Sequence, residues 1–265
     1  MSRLQNLPFE LQKSFSNHSV LKVITGLNNF EYNLVEQVAR SASVGGADLL
    51  DIACSPELVK VAIENSDLPV CVSSVQPEKF PEAIEAGATM IEIGNFDSFY
   101  PKGRLFSSGE VLSLTIQARK LLPDVVLSVT VPHILSFDQQ SQLALDLVEV
   151  GADVIQTEGG TSSTPAKSGV LGLIEKAAPT IASVYSISRS FLEVGCKAPI
   201  LCASGLSEIT VPMALISGAS GVGIGSAVNR LGNELEMIAM VRTLREAIVN
   251  SESFVKRAAQ PIQSI

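Results

Sequence analysis

The sequence predicts a single α/β domain, a (β/α)8 TIM barrel whose floor is closed by a short N-terminal helix. Three observations carry that prediction. Four times a small-residue step opens a short apolar run with one polar member: Ala47-Asp-Leu-Leu-Asp51-Ile-Ala53, Ala88-Thr-Met-Ile-Glu92-Ile-Gly94, Ala152-Asp-Val-Ile-Gln156-Thr-Glu158 and Ala219-Ser-Gly-Val-Gly223-Ile-Gly225. Between them lie further apolar runs announced by proline: Leu68-Pro69-Val-Cys-Val, Leu122-Pro123-Asp-Val-Val-Leu and Ala198-Pro199-Ile-Leu-Cys. Only 17% of residues are charged and mean hydropathy is +0.32, as a parallel sheet buried on both faces requires. An open doubly wound sheet is the runner-up, but it needs a switch point that the repeat does not offer.

The elements follow in order. An amphipathic helix over Pro8 to Phe15 closes the floor. Strand one covers Leu21 to Leu27, and a helix runs from Glu31 to Ser43. Strand two, Ala47 to Ala53, leads to a helix opened by Pro56, a residue suited to a first turn. Strand three is Val70 to Ser74, followed by a helix over Pro77 to Ala86; strand four is Thr89 to Gly94. Strand five, Val125 to Val131, precedes a helix from Asp138 to Val150. Strands six, seven and eight are Asp153 to Glu158, Ile200 to Ser204 and Gly221 to Gly225. A helix over Glu234 to Asn250 ends the barrel domain at 250, and 251–265 reads as a tail.

Composition excludes several function classes. Nineteen basic against 27 acidic residues give a net charge of −8, which argues against nucleic acid or an anionic membrane as partner. The uncharged stretch from Ile209 to Asn229 contains Pro212, Gly218, Gly221, Gly223 and Gly225, a poor composition for a lipid-exposed helix. The four cysteines form no CxxC pair, so neither a zinc site nor a disulfide framework is expected. The Met-Ser-Arg-Leu start carries no leader pattern, and the expected compartment is a reducing cytosol or stroma.

The connections at the two barrel ends are unequal. Gly45-Gly46, Gly87, Gly151 and Gly218 turn tightly into the next strand, whereas two loops at the carboxyl ends are long, Asn95 to Phe106 and Gly159 to Gly169. Barrel sites are built at the carboxyl ends, so candidate residues are sought there. Strands seven and eight end in Cys202-Ala-Ser204-Gly205-Leu206 and Gly223-Ile-Gly225-Ser226-Ala227. Backbone N–H groups of such turns cradle an anion, and Ser204, Gly205, Leu206, Gly225 and Ser226 are the expected phosphate binders. Tight turning alone would also explain their glycines.

The repeat places Asp51, Glu92 and Gln156 in one column facing the lumen, because a carboxylate cannot cheaply face the helix layer. Gly223 is its fourth member and lets an anion approach the backbone. Lys22 points inward one layer lower, either as a nucleophile or proton carrier or as a counter-ion for the carboxylates. Glu158 and His133 end strands six and five as candidate acids or bases; His18, on the floor side, is discounted. In the fourth loop Asn95 and Asp97 are placed to touch ligand, while Lys102 and Arg104 either clamp an anionic substrate or solvate the loop. In the sixth, Gly159, Gly160, Thr161, Ser162, Ser163 and Thr164 either bind phosphate oxygens or form a polar lid.

Six strings carry a family resemblance: Glu92-Ile-Gly-Asn-Phe-Asp-Ser-Phe-Tyr100, Leu127-Ser-Val-Thr-Val-Pro-His133, Gln156-Thr-Glu-Gly-Gly160, Ala203-Ser-Gly-Leu206, Pro212-Met-Ala214 and Gly221 to Asn229. Through them the chain, from Lys22 to Asn229, resembles the conserved reading-frame family of cyanobacteria and algal plastids called hypothetical chloroplast reading frame 23. The resemblance implies an aldolase-type phosphate-binding barrel and a photosynthetic host, hence cyanobacterial cytoplasm or plastid stroma; it implies no reaction. More distantly, the last two turns are similar to those of thiazole synthase and other phosphate-binding barrels, whose Schiff-base lysine is matched to no position here.

Three functions remain open. One is a lyase, isomerase or synthase acting on a small phosphorylated metabolite, needing no cofactor, with Asp51, Glu92, Glu158 and His133 sharing proton transfers. The second is a non-catalytic sensor of such a metabolite. The third is a flavin enzyme holding FMN on the same turns.

Overall fold

Eight parallel strands close on themselves in chain order. They are β1 (Val20–Ile24), β2 (Leu49–Ala53), β3 (Val70–Ser74), β4 (Met90–Ile93), β5 (Val126–Thr130), β6 (Val154–Gln156), β7 (Ile200–Ala203) and β8 (Gly221–Ile224). The structure is a computed structural model that describes residues 3–161 and 163–258, with side chains as far as 251. The (β/α)8 barrel expected from the repeat is the observed fold. Closure is made by β1 against β8, with Lys22 opposite Gly223.

The helices are α1 (Phe9–Ser16), α2 (Tyr32–Gly45), α3 (Pro56–Asn65), α4 (Phe80–Glu85), α5 (Ser108–Leu121), α6 (Phe137–Glu149), α7 (Gly169–Val194), α8 (Val211–Ile216), α9 (Ser226–Asn229) and α10 (Glu234–Ala258). The helix expected over 77–86 is divided into a 3-10 turn, Pro77–Lys79, and α4. Pro81 explains the break, since its ring opposes the carbonyl of residue 77 and it brings no N–H. Helix α10 continues through Ala258, past the barrel-domain end expected at 250. No glycine or proline occurs between 251 and 258 to stop it, and 259–265 lie outside the described residues. Helix α7 is long and apolar enough to cross a membrane by length and composition. In the barrel, its face formed by Ala177, Thr180, Val184, Ile187 and Phe191 is buried, against β7 and α6.

The lumen is layered, and the layers place the site. Its lower layer is apolar: Val20, Leu49, Cys71, Met90, Val126, Val154 and Leu201 form one cluster with Leu7, Leu11 and Phe15. The last two come from α1, so this helix does plug the floor. Two residues further along each strand the side chain again faces inward, and there stand Lys22, Asp51, Ser73, Glu92, Ser128, Gln156, Ala203 and Gly223. An apolar floor thus supports a polar storey.

The floor also explains the Ala-Asp steps that open two of the repeats. Asp48 Oδ2 accepts the backbone N–H of Leu21 at 2.7 Å, and Asp153 Oδ2 accepts that of Leu127 at 3.0 Å. Each aspartate pairs with an arginine, Arg245 and Arg119, which also donates to the carbonyl of the preceding turn glycine, Gly46 or Gly151. Those glycines have φ of +88° and +111°, backbone that L side chains rarely adopt. Asp153 is therefore committed to the floor, and β6 is shorter than the six residues expected.

Candidate functional site

At the carboxyl ends of the strands, four loops converge on three ionisable side chains. Phe96 is buried in a 3-10 turn, Phe96–Ser98, with its ring centroid 4.5 Å from that of Phe106. This anchor fixes the neighbouring Asp97. Asp97 Oδ2 accepts from the Gly159 N–H at 3.1 Å and from Ser204 Oγ at 2.9 Å, and its Oδ1 lies 3.3 Å from His133 Nδ1. Glu158 Oε1 accepts from Tyr100 Oη at 2.7 Å and lies 3.3 Å from His133 Nδ1; its Oε2 accepts the Asp97 N–H at 3.0 Å. Residues from the loops after β4, β5, β6 and β7 are thus knitted across the mouth.

The electrostatics follow from one imidazole between two carboxylates. Burial opposes the charged imidazolium, but the hydrogen bond to Glu158 and the charge of Asp97 outweigh it, so His133 titrates above its ordinary value. Burial pushes Glu158 up, against the pull of His133 and Tyr100. Burial and the Glu158 charge likewise raise Tyr100, which stays a hydroxyl donor. The cluster holds a proton donor, an acceptor poised above the usual carboxylate range, and a phenol.

Beside it lies a cavity of about 230 Å3 whose lining includes Gly26, Asn95, Gln156, Glu158, Thr161, Ser204, Gly205, Gly225, Ser226 and Arg230. Ser204 and Gly205 both have φ of +76°. A side chain at Gly205 would stand 2.7 Å from Gly160 Cα, so the sixth and seventh loops touch through backbone. Thr161 N–H and Oγ1 meet Ser204 Oγ at 2.8 and 3.1 Å. Gly225 precedes α9, with Ser226 as its first residue.

Below this cavity the polar storey is sealed. Lys22 Nζ lies 2.5 Å from Asp51 Oδ2 and 2.6 Å from Glu92 Oε2, and donates to Gln156 Oε1 at 3.0 Å. Ser73 donates to Asp51, Ser128 and Gln156 to Glu92. All of these side chains are buried. Burial alone would depress Lys22, but Asp51 and Glu92 hold it charged and raise its pKa. With two carboxylates against one ammonium, burial pushes Asp51 up to about 6. A lysine held charged is no amine nucleophile, and the geometry is that of a counter-ion.

The structure therefore divides the residues expected to share proton transfers. His133 and Glu158 meet at the mouth with Asp97, whereas Lys22, Asp51 and Glu92 form the buried set, whose side chains reach the cavity lining through Gln156. Gly223 does not line the cavity: the space of its absent side chain is bordered by Ala203 Cβ and Ile24 Cδ1, each 2.9 Å from an added Cβ. The Leu206 side chain packs into the core, leaving only its backbone for a ligand. Arg104 is drawn aside, ion-paired to Glu110 and 4.3 Å over the Phe106 ring. Lys102 is exposed, Ser163 caps the Gly160 and Lys176 carbonyls, and Ser162 lies outside the described residues. His18 lines a larger cleft, about 490 Å3, on the floor, and among the described residues lining it there is no carboxylate.

Two groups bring ligand atoms within 4.8 Å of one another as a metal site would: Asp51, Cys71 and Glu92, and Asp97, His133 and Glu158. In the first, the Lys22 ammonium already contacts both carboxylates. In the second, Glu158 and Asp97 favour the protonated imidazole, and that proton competes with any cation for the same atoms. Sequence reasoning missed Tyr100 and Arg230. Arg230 carried a signal, being the first charge after the uncharged stretch that ends at Asn229.

Solved structures share this architecture. The (S)-3-O-geranylgeranylglyceryl phosphate synthase of Thermoplasma acidophilum, in complex with sn-glycerol-1-phosphate, aligns with a TM-score of 0.60 at 13% identity over 94% of this chain and 98% of its own. The thiamine phosphate pyrophosphorylase of Pyrococcus furiosus aligns at 0.57 with 17% identity over 89% and 98%. At such identities the likeness shows the fold. Sequence relatives are nearer. A Cyanophora paradoxa protein named "Uncharacterized protein ycf23" is 42% identical over 230 residues, 86% of this chain and 92% of its own. A Pyropia yezoensis protein of the same name is 38% identical over 234 residues, 88% and 84%. The family model described as "Protein of unknown function (DUF561)" matches residues 4–254, and the chain belongs to that family.

Proposed function

We propose that the chain binds a small phosphorylated metabolite on the turns after β7 and β8 and acts on it as a lyase, isomerase or synthase through the mouth cluster. One observation carries the reading: glycine turns, an exposed arginine and Glu158, the buried carboxylate that contacts His133, border the same cavity. The phosphate rests on the backbone of Gly205, Gly225 and Ser226, with Arg230 supplying the positive charge. Its carbon skeleton extends toward Gln156 and Glu158. Protonated His133 is the acid, and Glu158, raised toward neutral pH, the base that takes a proton from carbon or hydroxyl. Asp97 orients the imidazole and Ser204. Asp51, Glu92 and Lys22 act indirectly, by holding Gln156 in place.

A cavity of about 230 Å3 lies below the range of about 300–1,000 Å3 for drug-sized ligands, which supports a small ester over FMN. The substrate bound by one structural neighbour, sn-glycerol-1-phosphate, and the thiamine phosphate in the name of another agree with a phosphorylated ligand. The algal relatives support a plastid stroma or cyanobacterial cytoplasm as the setting.

Calorimetry against a panel of small phosphate esters tests the proposal, guided by native mass spectrometry of a co-purifying ester. The variants are Gly225→Val and Ser226→Val. A Cβ at Gly225 would stand 3.3 Å from the Ile24 backbone carbonyl, a tight contact, so the melt of Gly225→Val is checked beside its binding, and Ser226→Val leaves that glycine in place. Binding is expected to vanish in both, and unchanged affinity overturns the assignment. Substrate turnover by the wild type, lost in Glu158→Gln with binding retained, separates an enzyme from a sensor.

A further inference from the structure

The outward face of α7 has a composition that its place in the barrel does not explain. Leu171, Tyr185 and Leu192 are 61%, 58% and 70% exposed, and Ala178 is exposed between them. Leu171, Ala178, Tyr185 and Leu192 recur every seven residues, the spacing that keeps one stripe of a helix facing a partner helix. The stripe runs 21 residues, about 32 Å at 1.5 Å per residue. Next to α7, α8 begins beside another exposed set, Ile209, Met213 and Ile216. Its end is close, for a side chain at Gly218 would collide with Ser188 of α7. Contiguous apolar surface of this kind marks an interface.

The charges on the stripe identify the partner. Ala182 stands at its middle, Glu175 lies seven residues before it and Arg189 seven residues after. Glu175 Oε2 accepts from the N–H groups of Ala166 and Lys167, which leaves Oε1 without a partner among the described residues. Arg189 is exposed, and it too has no ion pair or hydrogen bond among them. Within one chain the two charges sit four turns apart on one face and cannot meet. A two-fold axis through Ala182 sets the Glu175 of each copy against the Arg189 of the other, twice. It also brings Leu171 of one copy beside Leu192 of the other, and it crosses the helices where Ala178 and Ala182 let the backbones approach. An isologous contact must be self-complementary in this way. A lipid surface is the wrong partner for a stripe with an acid and a base on its midline.

We infer that this chain forms a two-fold homodimer by antiparallel packing of α7 against α7, flanked by the exposed residues of α8. The contact backs the candidate site, since Ser163 donates to the Lys176 carbonyl of α7; dimerisation steadies the sixth loop.

Sedimentation velocity on the full chain tests the inference. The wild type is expected to be a dimer. Arg189→Glu sets two pairs of like charges together and weakens it by on the order of a hundredfold, one tenfold step per pair, with an unchanged far-UV circular dichroism spectrum. Glu175→Arg weakens it equally, and an equimolar mixture of the two variants restores a dimer. Ala182→Cys gives a covalent dimer on mild oxidation, which the wild type does not. A wild type that stays monomeric overturns the inference, and so does one that is monomeric in buffer and floats with neutral phospholipid vesicles. A dimer indifferent to Arg189→Glu and not cross-linked through Ala182→Cys overturns it as well, whether or not Glu175→Arg folds.

Discussion

Ser204 Oγ lies 2.9 Å from Asp97 Oδ2 across 107 residues of chain, so the turn after β7 is tied to the loop after β4 by one hydrogen bond. That bond holds a non-glycine residue at φ +76°, a conformation that costs an L-residue about 1–2 kcal/mol. Ser204→Ala keeps the strain and loses the bond; Ser204→Gly loses the bond and relieves the strain. Urea denaturation is expected to find the glycine variant more stable than the alanine variant by about 1 kcal/mol. Both weaken ester binding, because Thr161 loses its anchor too.

The buried storey makes a prediction of opposite character. Removing one member of a buried ion pair costs about 3–5 kcal/mol, because the other charge is left alone. Lys22→Met leaves Asp51 and Glu92 without a cation and is expected to lose that much near neutral pH, and less in acid, where the carboxylates take up protons. Asp51→Asn leaves Lys22 one-to-one with Glu92 and is tolerated better. It also changes the pH profile. Asp51 titrates near 6 in the fold and near 3.9 unfolded, so between these values the native state binds the extra proton and stability falls as pH rises. Chemical denaturation from pH 4 to 7 is expected to show this slope in the wild type and its loss in Asp51→Asn.

The barrel was legible because its signals are local and repeated. The column of Asp51, Glu92 and Gln156 does face the lumen, and α1 does close the floor. What could not be read was how far the column reaches. A period of two says which face a side chain takes, but not that Lys22 seals Asp51 and Glu92 beneath the cavity while Glu158, two residues after Gln156, escapes to the mouth. Tyr100 was hidden for a similar reason. Its role depends on the Phe96–Phe106 anchor that folds the fourth loop back over Glu158, a contact across the loop with no periodicity. Arg104 has the chemistry of an anion clamp, yet Phe106 in the same loop and Glu110 in the first turn of α5 take it first.

The floor repeats should separate stability from function. Asp153 accepts from the Leu127 N–H and pairs with Arg119; Asp153→Ala strands both, at about 1–3 kcal/mol for a buried group left without its partner. Asp48→Ala is expected to behave alike at Leu21 and Arg245. Thermal melting checks the loss. Calorimetry at a temperature where the variants remain folded is expected to return wild-type affinity for the ester, because both residues lie at the barrel end opposite the cavity.

His133 gives the mouth its pH dependence, and the sign follows from its partners. Glu158 and Asp97 raise its pKa above 6.5 in the fold, so the native state holds a proton that the unfolded chain releases. The stability this contributes is fully present below about 6.5 and is lost as pH rises through the folded value. The same protonation fixes acid catalysis and adds attraction for a phosphate dianion. Ester binding and turnover are therefore expected to decline on the alkaline side at the His133 titration point. Glu158→Gln removes the leading stabiliser of the imidazolium, leaving the Asp97 charge against the burial that opposes it. Imidazole proton NMR is expected to place the His133 titration lower in Glu158→Gln than in the wild type. A titration point that does not move would mean that Asp97, not Glu158, controls the proton.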